Sequence, residues 1–182
     1  RLESQRRDFA MPPPRPALPQ VLQRNGVQTV AVGKIYDLFA GVGFNRAHKT
    51  DDNADGIEQT IQAMEAARGM NRPTFIWTNL VDFDSKYGHR NDVEGFAQAL
   101  EAFDTALPRL VPALPKGGRL LITADHGNDP TTPSTDHNRE YVPVLYYGDN
   151  NPRDLGTRPT FADHAATVAN YFGVEMAAGT AF

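Results

Sequence analysis

The sequence predicts an α/β fold in which a mostly parallel sheet is sandwiched by helices. Short β-branched and aromatic runs alternate with stretches of helical periodicity along most of the 182 residues. Such apolar runs are typical of strands buried in a parallel sheet. Right-handed crossovers between parallel strands place helices on both faces of the sheet. Two polar clusters, each directly after an apolar run, indicate where a ligand would bind.

The amino-terminal half predicts a connector followed by helix, strand, helix and strand. Five prolines fall between Pro12 and Pro19, a density that forbids a helix there and favours an extended connector. Apolar residues at helical spacing before Gly26 predict a helix, and the apolar run 27–33 predicts a strand. A helix from about residue 56 to 68 and a strand over residues 73–81 follow.

The carboxy-terminal half continues this alternation. A long helix is expected over residues 92–114 and a strand over residues 119–124. Residues 141–147 predict a further strand, which Pro143 moves towards a sheet edge because proline donates no backbone hydrogen bond. Residues 161–173 predict a closing helix with Gly173 at its end.

Composition narrows the possible partners and the compartment. Hydrophobic residues make up 40% of the chain, but no apolar run approaches the roughly 20 residues of a membrane helix, so no membrane partner is expected. A formal charge of −4 argues against nucleic acid as a partner. The absence of cysteine excludes disulfides and thiolate metal ligands, and it fits a reducing, cytoplasmic location.

Polar side chains cluster after two of the predicted strands, where open α/β sheets bind their ligands. The first cluster, after residues 73–81, contains Asp82, Asp84 and His89. The second cluster follows residues 119–124 and contains Asp125, His126, Asp129, Asp136 and His137.

Carboxylates and imidazoles together suit manganese, zinc or magnesium, and this chain offers no cysteine sulfur as a softer ligand. An isolated Asp-His pair after a strand would equally be a turn or a helix cap. The convergence of acids and histidines from two separate strand ends favours a divalent metal site.

Four segments carry a resemblance to a known family: VGKIYDLFAG, TNLVDFDSKYGHRNDVEGF, LLITADHGNDPTTPSTDHNREYVPVLYYG and LGTRPTFADHAATVANYFG. In these segments the chain resembles the phosphopentomutase family of the alkaline phosphatase superfamily. The DHG motif alone would indicate only the superfamily, which also contains cofactor-independent phosphoglycerate mutase. The longer motifs around YGHR and DPTTPSTDH are typical of phosphopentomutases.

The resemblance implies an alkaline phosphatase-like core and an isomerase that interconverts ribose or deoxyribose 1-phosphate and 5-phosphate in nucleoside catabolism. It also implies two divalent metal ions, usually Mn²⁺, and a phosphothreonine on the enzyme. Carried across by motif, Asp84, His89 and His137 hold one ion, and Asp125 with His126 binds the other. Two such ions clamp the attacking and leaving oxygens of a transferred phosphoryl group.

The resemblance further implies that part of the family's fold lies outside this sequence. Family members carry a metal-binding aspartate, the nucleophilic threonine and a cap domain upstream of the matching region. We therefore expect residues 1–14 to be the end of the cap and a Pro-rich crossover, and residues 15–182 to be the carboxy-terminal part of the core. The first strands of the sheet would be absent, and this chain would need the missing N-terminal half for activity.

Several other residues receive roles from the resemblance or from their position. Lys34 matches a family lysine near the phosphate, although a lysine after a strand is often only exposed to solvent. Two isolated histidines are expected at the surface or in packing: His48 and His164. Three arginines lie near where cap arginines of the family grip the sugar phosphate: Arg1, Arg6 and Arg7.

The remaining polar residues of the two clusters are expected to support the site. Asp82, two residues before Asp84, is expected to support the site and not to bind the ion. Asp129 and Asp136 are expected to orient imidazoles or to cap their loop. Three threonines are expected to hydrogen-bond within their loop and not to act as nucleophiles: Thr123, Thr131 and Thr132.

Two alternatives to a phosphopentomutase stay open at this stage. The chain could be a noncatalytic metal-binding or interaction module descended from such an enzyme. It could also belong to a sister enzyme that uses the same metal frame, such as a phosphoglycerate mutase or a phosphodiesterase.

Overall fold

The computed structural model describes residues 11–148 and 151–182, and a three-stranded parallel sheet forms its centre. Strand β1 (Gln28–Val32) lies between β2 (Arg46–His48) and β3 (Thr74–Thr78), with Val30 opposite Ile76. Every residue of β1 is buried, as expected of an apolar strand covered on both faces. The predicted strand over residues 27–33 is therefore confirmed as the core of the fold.

Helices accompany the sheet in the predicted alternation with strands. They are α1 (Leu18–Arg24), α2 (Ile35–Leu38), α3 (Asn53–Arg68), α4 (Val93–Ala113) and α5 (Ala162–Tyr171). An aspartate caps each of the two long helices: Asp52 accepts a hydrogen bond from the Asp55 amide, and Asp92 accepts one from the Gly95 amide. None of the described helices has the length and apolar character needed to cross a bilayer.

The helices lie on both faces of the parallel sheet. A buried cluster from α3 and α4, which includes Leu110, packs against Ile76 of β3. A second cluster from α1 and α5, which includes Leu22, packs against Phe75 of the same strand. Because neighbouring residues of a strand point to opposite faces, the two clusters cover opposite sides of the sheet. This is the layered α/β architecture that the sequence predicts.

The two remaining strands form a separate antiparallel ribbon. Strand β4 (Leu120–Ile122) pairs with β5 (Leu145–Tyr147), and β4 is not paired with β3 in the described part of the chain. Pro143 precedes β5, in keeping with its predicted effect on this strand. The apolar character of residues 119–124 predicts the strand but does not specify its partner, so the separation of the ribbon was not foreseen.

Several boundaries differ from the predicted ones for local reasons. Helix α1 takes Pro19 into its first turn, where the missing amide hydrogen costs nothing, so the extended connector ends earlier than predicted. Strand β2 was missed because it has only three residues and two of them are polar. The closing helix ends at Tyr171, and Gly173 follows with a φ of 70°, the left-handed conformation that favours glycine after a helix.

Strands β3 and β4 are less buried than their sequences predict. All residues of both strands are half-buried, whereas the residues of β1 are buried. Among the described residues, β3 forms a ladder only with β1, and β4 forms one only with β5. One edge of each of these apolar strands is thus left without a strand partner there.

Candidate metal centre

The loop after β3 folds into two tight helical turns. A π-helical turn covers Phe83–Tyr87, and a 3₁₀ turn covers Gly88–Arg90. Such π turns are uncommon and occur often at functional sites. Together the two turns place Asp84 and His89 beyond the carboxyl end of β3. Open α/β sheets bind their ligands at this end of their strands.

Asp82 anchors this loop and does not join the cluster. Its buried carboxylate accepts hydrogen bonds from the Asn53 amide at 2.9 Å and from Lys86 Nζ at 3.1 Å. The hydrogen bond that Lys86 donates to Asp82 also raises the pKa of Lys86. The prediction of a supporting role fits. The segment is helical, and in an extended segment residues two apart would share a face, so the separation of Asp82 from Asp84 comes from the turn and not from strand alternation.

The loop after β4 is closed by short hydrogen bonds of its own. The Asn138 amide donates to the Gly127 carbonyl at 3.1 Å, so the chain returns beside the point at which it left. Asp129 accepts hydrogen bonds from the Thr131 amide at 2.8 Å and from the Thr131 hydroxyl at 2.7 Å, and these bonds lower the pKa of Asp129. Asp129 therefore caps the loop, one of its two expected roles, and Thr131 bonds within the loop as expected.

The two loops bring three imidazoles around one carboxylate oxygen. Asp84 Oδ1 lies 3.1 Å from His137 Nε2, 3.3 Å from His89 Nε2 and 3.9 Å from His126 Nε2. The rings of His126 and His137 are stacked, with their centroids 3.7 Å apart. One ligand atom each from Asp84, His89 and His137 lies within 4.8 Å of the others, a geometry that can hold a metal ion.

Backbone carbonyls orient two of the imidazoles towards Asp84. His89 Nδ1 lies 2.5 Å from the Thr135 carbonyl oxygen, and His126 Nδ1 lies 3.3 Å from the Gly127 carbonyl oxygen. A carbonyl oxygen only accepts hydrogen bonds, so in the neutral rings the proton belongs on Nδ1 and the lone pair on Nε2. These lone pairs face an anionic oxygen, an arrangement that a cation between them stabilises. The donor set therefore fits a divalent metal.

Asp125 lies at the margin of this cluster. Its carboxylate is 67% exposed, and Oδ1 is 3.8 Å from His126 Nε2. It is close enough to share an ion with His126, but it is not one of the three residues whose ligand atoms converge. The two predicted ligand sets thus meet where His126 approaches Asp84.

The other predicted site residues lie apart from the cluster or outside the described residues. Lys34 is exposed and follows β1 at the same end of the parallel sheet as the loop after β3. Asp136 is exposed, and its amide donates to Ser134 Oγ. His164 packs beside Phe182, in keeping with the expected packing role. Three predicted substrate contacts fall outside the described residues: Arg1, Arg6 and Arg7.

One residue of the site was missed from the sequence. Asn128 Nδ2 donates a hydrogen bond of 2.8 Å to Asp84 Oδ1, the oxygen that the imidazoles face. The sequence feature that could have indicated this role is its position, because Asn128 directly follows the DHG motif after β4.

The Asp-His cluster at the sheet edge could hold a metal ion, and the comparison with known families agrees with this. Residues 18–176 match the model of the Metalloenzyme superfamily, so the chain belongs to this superfamily. This match includes the whole cluster from Asp84 to His137.

Relatives of the chain carry a more specific name. It is 50% identical over 181 residues to the phosphopentomutase of Thermotoga petrophila, a match that covers 98% of this chain and 46% of the relative. It is also 50% identical over 184 residues to the phosphopentomutase of Deinococcus radiodurans, covering 100% of this chain and 46% of the relative. The chain thus spans about half the length of these relatives.

Proposed function

We propose that this chain forms the metal-binding part of a phosphopentomutase, which interconverts ribose or deoxyribose 1-phosphate and 5-phosphate. The observation that carries the proposal is the convergence of Asp84, His89 and His137 in a chain half-identical to proteins of that name. The substrate is accordingly a small pentose phosphate, and the proposed location is the cytoplasm.

The proposed cofactor is a pair of divalent cations, with Mn²⁺ as the ion. One ion would be held by Asp84, His89 and His137, and the other by Asp125 with His126. The carboxylates and neutral imidazoles of this cluster suit such an ion. When bound, a pair of cations neutralises charge on a transferred phosphoryl group and fixes its geometry.

The chain's own residues would hold and orient the reacting groups. The carbonyls of Thr135 and Gly127 keep the Nε2 atoms of His89 and His126 directed at Asp84. Lys34, at the same end of the sheet, is proposed to contact the substrate phosphate, and three arginines are proposed to contact the sugar phosphate: Arg1, Arg6 and Arg7.

The nucleophilic threonine is proposed to lie in the part of the relatives that this sequence does not span. Thr131 and Thr132 are poor candidates because their hydroxyls already donate to Asp129. The same additional part would supply a further carboxylate ligand, and strands for the edges of β3 and β4 that have no ladder within residues 11–148 and 151–182. In this proposal residues 1–14 end a cap domain, and residues 15–182 complete the core.

Activity of the full-length protein with Mn²⁺ tests this proposal. Wild-type protein is expected to interconvert ribose 1-phosphate and ribose 5-phosphate and to leave phosphoglycerates unchanged. Asp84→Ala and His137→Ala are each expected to lower kcat by more than about 100-fold, since even hydrogen-bond partners of metal ligands cost 10- to 100-fold. A matched control is Asp154→Ala, which removes an exposed carboxylate that caps only its own turn.

Two results would contradict the proposal. If Asp84→Ala and His137→Ala both retained activity, the assignment of these residues to the metal site would be wrong. A preference for phosphoglycerates over pentose phosphates would assign the chain to a sister enzyme.

A further inference from the structure

Asn128 joins the two loops of the candidate metal centre. It belongs to the loop after β4, yet its side chain donates to Asp84 in the loop after β3 at 2.8 Å. The carbonyl of the preceding residue, Gly127, accepts a hydrogen bond from the Asn138 amide and lies 3.3 Å from His126 Nδ1, so Asn128 starts from a fixed position. Its contact with Asp84 is therefore part of a hydrogen-bonded frame.

Gly88 makes room for this contact. A Cβ atom at position 88 would lie 2.4 Å from both Cγ and Nδ2 of Asn128. The backbone of Gly88 has φ −58° and ψ −60°, a conformation open to any residue. Conformational freedom therefore gives no reason for glycine here, whereas the close approach of the Asn128 amide does.

The Asn128 bond controls the direction of the Asp84 carboxylate. A carboxylate on a short side chain can rotate, and an oxygen with two lone pairs can accept one hydrogen bond while it binds a metal. The Asn128 amide engages Oδ1, the same atom that faces the Nε2 atoms of His89 and His137. Hydrogen-bond partners of this kind hold metal-binding carboxylates in place in other proteins.

We propose that Asn128 is a positioning residue that holds Asp84 in the metal-binding orientation, and that Gly88 is required because it admits the Asn128 amide. This inference rests on the proposed metal site, and it assigns to two further residues a role in metal affinity. In this role Asn128 donates a hydrogen bond through Nδ2 and does not bind the metal. Asn128 could act as a metal ligand only through its amide oxygen.

Isothermal titration calorimetry of the full-length protein with Mn²⁺ tests the proposal. Asn128→Ala and Gly88→Ala are each expected to weaken Mn²⁺ binding by about 10- to 100-fold. In the Asn128→Ala background, Gly88→Ala is expected to have little further effect, because the added methyl group then has no amide to displace. Asn128→Asp is expected to bind more weakly than wild type, since it replaces the donor with a second anion.

The matched control is Asn91→Gly. Asn91 also bridges the two loops, by donating to the Thr132 carbonyl at 2.6 Å, and the acceptor of this bond is not a predicted ligand. Glycine tolerates the φ of 51° at this position. Loss of the Asn91 side chain is expected to lower the melting temperature. It is expected to change Mn²⁺ affinity by less than about threefold, well below the effect of Asn128→Ala.

The outcomes separate this inference from the proposed function. If wild type binds Mn²⁺ and Asp84→Ala does not, but Asn128→Ala binds as wild type does, the positioning role is overturned and the metal site stands. If Asn128→Asp binds as tightly as wild type, Asn128 acts as a ligand and the positioning role is also overturned. If wild type binds no Mn²⁺, both the metal site and the inference fall.

Discussion

The histidines of this chain differ in what their ring nitrogens contact. His89 and His126 each have Nδ1 beside a backbone carbonyl and Nε2 directed at Asp84. In His164, by contrast, Nε2 is buried and has no hydrogen-bond partner among the residues that the structure describes, and the ring packs edge-to-face with Phe182. Burial lowers the pKa of His164, the nearby Asp163 opposes this shift, and Arg158 adds to it.

The shifted pKa of His164 predicts a loss of stability in acid. The folded state binds this proton less readily than the unfolded state, whose histidine pKa is about 6.5. The contribution of neutral His164 to the free energy of unfolding is therefore fully present above about pH 6.5, and it is lost as the pH falls below that value. Urea unfolding at pH 7.5 and 5.5, with chelator present, should show a larger fall in the free energy of unfolding for wild type than for His164→Phe. An equal fall in both would contradict this account of His164.

Sequence motifs identified the predicted metal ligands, but they did not identify Asn128, whose role depends on a contact in the folded chain. Asp84, His89 and His137 lie in the polar clusters after two predicted strands, and the family resemblance implies that they hold one ion. The structure brings these three residues together. Asn128 was missed because an asparagine after a strand is usually a turn residue. Its contact with Asp84 depends on the space at Gly88, which only the folded structure reveals.

The elements could be predicted where periodicity was strong and not where tertiary contacts decide. Helices α3 and α4 follow from their apolar spacing, and each has an aspartate cap. The π-helical turn Phe83–Tyr87 was not predicted, since local sequence preferences do not distinguish such a turn from a loop. Asp82 stabilises the turn by contacts with Asn53 and Lys86, and the Asn53 contact lies 29 residues away in sequence.

Two leucines of α4 provide a test of the packing between α3 and α4. Leu110 is 3% exposed in the cluster with α3, whereas Leu100 is 51% exposed. Leu110→Ala should lower the free energy of unfolding by about 2–5 kcal/mol, because it removes buried methyl groups and leaves a cavity. Leu100→Ala, the same change in the same helix, should alter it by no more than about 0.5 kcal/mol. Chemical denaturation measures both, and equal effects would contradict the assigned packing.

At the scale of the whole molecule, two apolar strands each have one edge without a strand partner in the part of the chain that the structure describes. β3 and β4 have the apolar sequences of central strands, yet each has a ladder on one side only within the described residues. The chain covers only 46% of the length of its Thermotoga petrophila relative. The sequence could predict the strands themselves, but the apolar pattern of a strand does not specify which strands lie beside it.

The edges of β3 and β4 that lack a strand partner in the described structure predict how the 182-residue chain behaves when it is produced alone. It should self-associate or aggregate, since exposed edges of apolar strands pair with other chains. Co-production with the remaining part of a full-length phosphopentomutase should suppress this association. Light scattering after size exclusion measures it. A stable monomer that unfolds cooperatively on its own would favour the alternative of a noncatalytic metal-binding module.

The central claim is that Asp84, His89 and His137 together hold a divalent cation. Anomalous diffraction at the manganese absorption edge, from crystals of the full-length protein grown with Mn²⁺, tests this claim most directly. The account predicts a peak within about 2–2.5 Å of the Asp84 carboxylate and of the Nε2 atoms of His89 and His137, the range of such metal–ligand bonds. Manganese bound elsewhere, with these three side chains in contact only with one another, would contradict it.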